Sequence, residues 1–183
     1  MKDLIRSRLA ELEPRALLDG YTREAAVLIP IFEFQNEYYF LLTRRTHEVE
    51  THKGQISFPG GMREDDEDLL RTALRETFEE VGIEESRIEL LGRFHDYISI
   101  TRFRVTPFAG FIQGPFTTKP HAREVAEVIH VPFRIFLDPS LVRVEKSPWI
   151  TREVNVYYYT FGAHQIWGLT ARIIKDFLEF LTI

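Results

Sequence analysis

Within the stretch GGMREDDEDLLRTALRETFEEVGI, Gly60 to Ile83, the side chains of Glu76, Glu79 and Glu80 crowd together beside Arg75. Residues four apart on a helix lie about 40° apart around the axis and about 6 Å along it. Glu76 and Glu80 therefore repel each other, at a cost of roughly 0.2–0.5 kcal/mol. Glu79, a further quarter turn round, adds a third carboxylate. Carboxylates so close raise one another's pKa, a difficulty that a hard divalent cation removes, because Mg²⁺ takes oxygen ligands and reverses the local charge balance. Arg75 can pair with Glu67 or Glu79 and hold those carboxylates in fixed rotamers. A solvated, Glu-rich helix face is the other reading of the same charge.

The spacing decides between them. Gly61, five residues, Glu67, seven residues, then Arg75-Glu76, Glu79-Glu80 and Gly82-Ile83 match the Nudix box, with only Thr77 standing where an aliphatic residue is usual. The chain thus resembles the Nudix hydrolases. That resemblance implies an α/β/α sandwich with a mixed β-sheet, and hydrolysis of a nucleoside diphosphate linked to another group. It also implies metal-assisted attack of water on a pyrophosphate phosphorus, with Mg²⁺ or Mn²⁺ as the cofactor. Carried over by position, Glu76 and Glu80 are the metal ligands, with the carbonyl of Gly60 or Gly61 as a third. Glu79 is an additional ligand or a base, and Glu67 and Arg75 organise the ligands. Glu124 and Glu127 in the later REVAEV segment are alternative bases, or simply exposed strand glutamates.

The segment LLTRRTHEVETHKGQISFPGG, Leu41 to Gly61, resembles the coenzyme A pyrophosphatase branch of the family. Thr43, Arg45, His52, Gly54, Gln55, Phe58, Pro59, Gly60 and Gly61 carry the match, and the stretches Pro120–Val128 and Ile166–Arg172 extend it. Glu50 departs, standing where a basic residue is expected. The resemblance implies substrate binding by Arg45, His52 and Gln55. Arg45 offers a planar fork for phosphate oxygens, and His52 adds a donor. Lys53, Arg102 and Arg104 read more simply as surface cations. Trp149 and Tyr157 to Tyr159 read as core or sheet aromatics before they read as adenine platforms. Two other functions stay open: hydrolysis of ADP-ribose, a dinucleotide or a nucleoside triphosphate, and nucleotide binding without turnover. The intact box weighs against the last.

The elements that must carry these residues are legible from periodicity. The spacing of Leu4, Ile5, Leu9, Leu12, Leu17 and Leu18 predicts an amphipathic helix over residues 2–18, broken near Pro14. EAAVLIPIFEF reads as a buried strand, with Pro30 marking an irregularity or an edge. NEYYFLLTRR is its hairpin partner across Gln35-Asn36, and Thr46 to Phe58 reads as a loop. On the box helix, Leu70, Ala73, Leu74, Thr77, Phe78 and Val81 define the core face. Asp65 or Asp66 is the expected N-cap and Gly82 the left-handed C-cap. Strands follow over RIELLGRFHDYIS, RVTPFAGFIQG and EVAEVIHVPF, then a helical turn over FRIFLDPSL. A hairpin from LVRVEKS to NVYYYTFGAH precedes a closing amphipathic helix, GLTARIIKDFLEFL.

The chain of 183 residues, 44% apolar and 28% charged, suits one globular domain spanning 1–183. It contains no cysteine, which excludes disulfides, zinc–thiolate sites and a thiol nucleophile and fits a reducing cytoplasm. A net charge of -5 argues against a general nucleic-acid partner. No signal peptide or membrane-spanning run is apparent. The expected partner is a small molecule.

Overall fold

The strand Arg23–Phe34 (β1) organises the molecule, and its apolar residues explain why. Successive strand side chains point to opposite faces. Ile29 and Ile31 enter one core with Ile5, Leu9, Ile173, Ile174 and Phe177, whereas Ala26 and Leu28 pack on the other side against Ala73 and Leu74. Helices therefore cover both faces of the sheet, giving the α/β/α sandwich. The computed structural model describes residues 1–46, 54–146 and 155–181. His52, Lys53, Glu50, Trp149 and the Pro-Trp turn lie outside them.

In chain order the strands are β1, β2 (Glu37–Arg45), β3 (Ile56–Ser57), β4 (Gly60–Met62), β5 (Ile88–Arg93), β6 (Tyr97–Ile98), β7 (Phe103–Ile112), β8 (Val125–Pro132), β9 (Val142–Lys146), β10 (Asn155–Phe161) and β11 (His164–Trp167). The helices are α1 (Lys2–Ala10), α2 (Leu69–Val81), α3 (Arg134–Leu137) and α4 (Gly168–Phe180). The large sheet runs β3-β2-β1-β7-β5, with β4 on β1, β6 on β7 and β8 on β2. Only the β1–β7 pair is parallel among these ladders, so the sheet is mixed. The strands β9, β10 and β11 form a second, antiparallel sheet.

Several expectations change on folding. The first helix ends at Ala10, not at residue 18. Pro14 disfavours helix at the residue before it, and the chain beyond is instead tied to the sheet, with Arg15 N–H donating to His95 Nδ1 and Leu17 N–H to the Asp96 carboxylate. Pro30 lies within a central strand and not at an edge. Its irregularity is a change of neighbour: β1 pairs with β4 through Val27 and with β2 from Ile31 onward. The missing N–H thus falls where no ladder partner requires it. Gln35 and Asn36 both take positive φ, 52° and 61°, making the expected tight hairpin turn. The expected loop before the box contains β3, paired with Thr43 and Arg44.

On α2, Gly82 closes the helix at φ 70°, as expected, but the N-cap is Asp68. Its carboxylate accepts from Leu70 N–H at 2.9 Å, while Asp65 and Asp66 belong to the preceding turn. The buried stripe is also rotated. Ala73, Leu74, Thr77 and Val81 are buried as expected, but Phe78 is 54% exposed and Thr72 and Glu80 are inside. Thr77 settles its buried hydroxyl on the Ala73 carbonyl at 2.7 Å, so its departure from the box pattern is absorbed within the helix. Replacing Asp68 with Ala should cost about 1 kcal/mol of stability, and Asp66→Ala nearly nothing. Urea denaturation of the two variants distinguishes the caps.

Candidate functional site

Arg75 lies at the centre of the carboxylate cluster. Its Nε and Nη2 donate to the two oxygens of Glu67, each at 3.1 Å, a bidentate pairing. Its Nη1 donates to Glu76 Oε1 at 2.8 Å and Glu79 Oε2 at 3.2 Å, and Nη2 also reaches the Met62 carbonyl at 3.3 Å. The hydrogen bond from Arg75 holds Glu67 below the usual glutamate range, aided by the Thr72 hydroxyl at 2.8 Å. The carboxylates in turn raise the pKa of the guanidinium.

Gly61 lets Glu76 come close to β4: a Cβ at Gly61 would overlap the Glu76 carboxyl group. Gly60 is equally constrained. Its φ is +152°, and a Cβ there would strike the Ala26 carbonyl. The paired glycines allow α2 to lie against the strand with its acidic side inward.

Glu80 is 3% exposed. Burial pushes its carboxyl up to about 8, opposed first by the charge of Arg45 and reinforced by Glu76 and Glu124. Burial also raises Glu76, against the hydrogen bond from Arg75. Thr43 and Arg45, alternate residues of β2, approach Glu80 from the sheet. Thr43 Oγ1 is 3.4 Å from Glu80 Oε2, and Arg45 Nη1 is 3.8 Å from Oε1. The backbone N–H of Arg45 donates to the Gln55 carbonyl at 2.9 Å, which brings Gln55 to the same strand end.

The segment after β7 closes the other side. Lys119 N–H donates to the Val81 carbonyl and His121 N–H to that of Glu80, satisfying carbonyls at the α2 C-terminus. Thr46 N–H donates to the Glu124 carbonyl, and the Glu124 charge acts on both Glu76 and Glu80. Glu127 is held elsewhere, by Arg44 Nε at 3.1 Å and beside His164 Nε2 at 3.4 Å. Arg44 follows Thr43 and faces the opposite side of the sheet.

Glu67, Arg75, Glu76, Glu79, Glu80, Gly61 and Arg45 therefore come together, and Glu124 joins them. Arg104 is spent on Glu24 and the Leu17 carbonyl, and Arg102 on the Gly20 carbonyl. Tyr159 is buried, Tyr158 stacks on Trp167, and Tyr157 lies beneath Lys175. The contact of Thr43 with Glu80 and the support of Glu67 by Thr72 were not foreseen from sequence. The position of Thr43, two residues before Arg45 on one strand face, was the available signal. A hollow of about 450 Å³ beside the N-terminal end of α2 is lined by Arg63, Glu67, Arg93 and Phe108, not by Glu76 or Glu80.

The donor set fits a hard cation. Among the described residues no three or more His, Cys, Asp or Glu side chains form a ready cage. Glu76 and Glu80 nevertheless offer two adjacent oxygen donors whose burial and mutual repulsion an added positive charge would offset. Mg²⁺ commonly uses one or two carboxylates, completing its shell with water and substrate phosphate. In chelator, the raised Glu80 carboxyl makes the folded state hold a proton that the unfolded chain, near the ordinary value of 4.5, releases. Stability should therefore fall as pH rises from 4.5 towards 8, by up to about 1.4 kcal/mol per pH unit from this group. Glu80→Gln should remove that slope, as read from urea midpoints across the range. An unchanged slope would show that Glu80 is ionised throughout.

The NUDIX domain model matches residues 22–156. Over 167 residues the chain is 36% identical to the uncharacterized Nudix hydrolase NudL of Photorhabdus laumondii, covering 91% of this chain and 88% of that protein. It is 34% identical over 160 residues to the chloroplastic Nudix hydrolase 22 of Arabidopsis thaliana, covering 83% of this chain but 53% of the plant protein. A MutT/nudix family protein from Enterococcus faecalis has the same fold, with a TM-score of 0.58 at 15% identity over 94% of this chain and 66% of that one. No helix among the described residues is long and apolar enough to cross a membrane. Nudix hydrolases generally use divalent metal ions. The matched length, and the identity to relatives over most of the sequence, establish that this chain belongs to the NUDIX domain family and is a Nudix hydrolase.

Proposed function

We propose that this Nudix hydrolase is a Mg²⁺- or Mn²⁺-dependent pyrophosphatase that cleaves coenzyme A and its derivatives. The products are 4'-phosphopantetheine, or its acylated form, and adenosine 3',5'-bisphosphate. The observation that carries the reading is the inward pairing of Glu76 and Glu80 beside Gly61, with Arg75 fixing the surrounding carboxylates and Arg45 on the opposite wall. The resemblance of Leu41 to Gly61 to the coenzyme A pyrophosphatase branch supports the substrate. We take residues 1–183 as one catalytic domain, and the lack of cysteine suits a cytoplasmic setting.

In this reading Glu76, Glu80 and the Gly61 carbonyl hold the cation. When bound, it supplies charge neutralisation at the pyrophosphate and acidifies the attacking water. Glu67 and Arg75 keep Glu76 and Glu79 oriented, so the carboxylates need no rearrangement when substrate arrives. Glu79, held by Arg75, and Glu124, whose charge acts on Glu76 and Glu80, are the two candidate proton acceptors. Arg45, His52 and Gln55 bind the phosphates of the substrate. Neither nucleic acid nor a membrane takes part.

Because Arg75 acts through its carboxylates, Arg75→Gln should lower kcat far more than it raises KM. A change confined to KM would put the guanidinium on the substrate instead. The substrate assignment is tested by a product-resolved screen of pyrophosphate-containing metabolites in ¹⁸O-labelled water. Coenzyme A and short acyl forms should be cleaved alike. Dephospho-coenzyme A should be poorer by about 1.5–3 kcal/mol in kcat/KM for the lost charge-assisted hydrogen bond. Equal or faster turnover of ADP-ribose would reassign the enzyme to that substrate, with Glu50 the first residue to examine.

A further inference from the structure

Two threonines of α2, Thr72 and Thr77, are fully buried, and they use their hydroxyls differently. A hydroxyl enclosed in the interior needs a partner, and on a helix the carbonyl four residues earlier is within reach. Thr77 takes that partner, donating to the Ala73 carbonyl at 2.7 Å. Thr72 lies 3.3 Å from the corresponding Asp68 carbonyl, but its Oγ1 is 2.8 Å from Glu67 Oε2, five residues back and ahead of the N-cap. A hydroxyl has one hydrogen to give. The shorter contact takes it, because a carboxylate is the stronger acceptor and 3.3 Å lies beyond the usual O–H···O range.

Glu67 is thereby fixed from its backbone to its tip. Its N–H donates to the Glu64 carbonyl at 2.9 Å, and its own carbonyl accepts from Arg63 Nε. Oε1 accepts from Arg75 Nε, and Oε2 is shared by Arg75 Nη2 and Thr72. One edge of the guanidinium thus lies along a carboxylate whose tilt Thr72 sets. The guanidinium is planar and rigid, so fixing that edge aims the remaining nitrogen, Nη1, which holds Glu76 and Glu79. We propose that Thr72 is a positioning residue for hydrolysis: its hydroxyl fixes the plane of the Glu67 carboxylate, and through Arg75 that plane sets where Glu76 and Glu79 stand. The inference rests on the proposed catalytic role of Glu76 and Glu79, and it is independent of which pyrophosphate is cleaved.

Two measurements on the whole protein test this. One is solvent exchange of the Arg75 Nε–H in ¹⁵N-arginine-labelled samples at one fixed pH, the signal being identified by its loss in Arg75→Lys. The other is steady-state hydrolysis of coenzyme A with Mg²⁺. Thr72→Val keeps the side-chain shape and removes the hydroxyl, and Thr72→Ala removes it without setting a methyl against Glu67. Both should speed Arg75 Nε–H exchange several-fold and lower kcat about tenfold with little change in KM. Thr72→Ser, which keeps the hydroxyl, should stay near the unmutated protein in both. Thr77→Val, which also deletes a buried hydroxyl from α2, should move neither. An Arg75 signal that stays as protected without the Thr72 hydroxyl as with it would overturn the inference, and so would faster exchange with unchanged kcat. A matching effect in Thr77→Val would overturn it too, since any buried hydroxyl of the helix would then suffice. If the unmutated protein does not hydrolyse coenzyme A, the substrate proposal alone falls. The exchange measurement then still decides whether Thr72 holds Arg75, and the kinetic comparison passes to the substrate that the metabolite screen identifies.

Discussion

Three carboxylates share the donors of one guanidinium, and the local structure depends on how that charge is arranged. Left to repulsion, Glu67, Glu76 and Glu79 would turn outward into water, where their charge costs least. Arg75 reverses this by offering a rigid set of donors, two spent on Glu67 and one shared by Glu76 and Glu79. An arginine is suited to the task because its fork directs several N–H groups at once, where a lysine would present a compact point charge. The orientation of Glu76 follows from that grip, and Glu80, one turn on, is carried into the interior on the same side of the helix.

The clamp works only because the backbone opposite is bare. Gly60 and Gly61 stand in β4, hydrogen-bonded to β1, and leave room for α2 to settle with its Glu76 carboxylate against the strand. The change of neighbour along β1 is what makes β4 possible. Its first half pairs with β4 and its second half with β2, so a short strand bearing the glycines joins the sheet where the helix packs against it. Pro30 at the changeover would interrupt an ordinary ladder, but here it marks the point where one neighbour replaces another.

Long-range hydrogen bonds finish the site. Residues Lys119 and His121 cap carbonyls at the end of α2, and Thr46 holds the backbone of Glu124. The segment bearing Glu124 is thereby tied to Glu80 itself and to the strand that carries Thr43 and Arg45. Position relative to β8 then separates two glutamates that look alike in sequence: Glu124 ends the turn before the strand, where its charge acts on Glu76 and Glu80, and Glu127, inside the strand, turns to Arg44 and His164.

What the sequence determined by itself was local. The period of α2, the left-handed stop at Gly82, the turn at Gln35-Asn36 and the alternation of β1 depend on residues within a few positions of one another. The helical spacing of Glu76 and Glu80 belongs with them, but only the wider box pattern from Gly61 to Ile83 pointed beyond a solvated helix face. The tertiary structure decided what each side chain meets. Phe78 and Glu80 lie two residues apart on the same helix, and only the packing surface makes the phenylalanine exposed and the glutamate buried. Asp68 caps α2 in place of Asp65 and Asp66 because those two residues are taken up by the turn before the helix, with Glu67, between that turn and Asp68, bonded to Arg75 and Thr72. Arg45 reached Glu80 because α2 packs on the face of the sheet to which Thr43 and Arg45 of β2 point, although Thr43 and Glu80 are 37 residues apart in the chain. Periodicity sets which residues share a face, whereas burial and charge pairing depend on what the rest of the chain brings against that face.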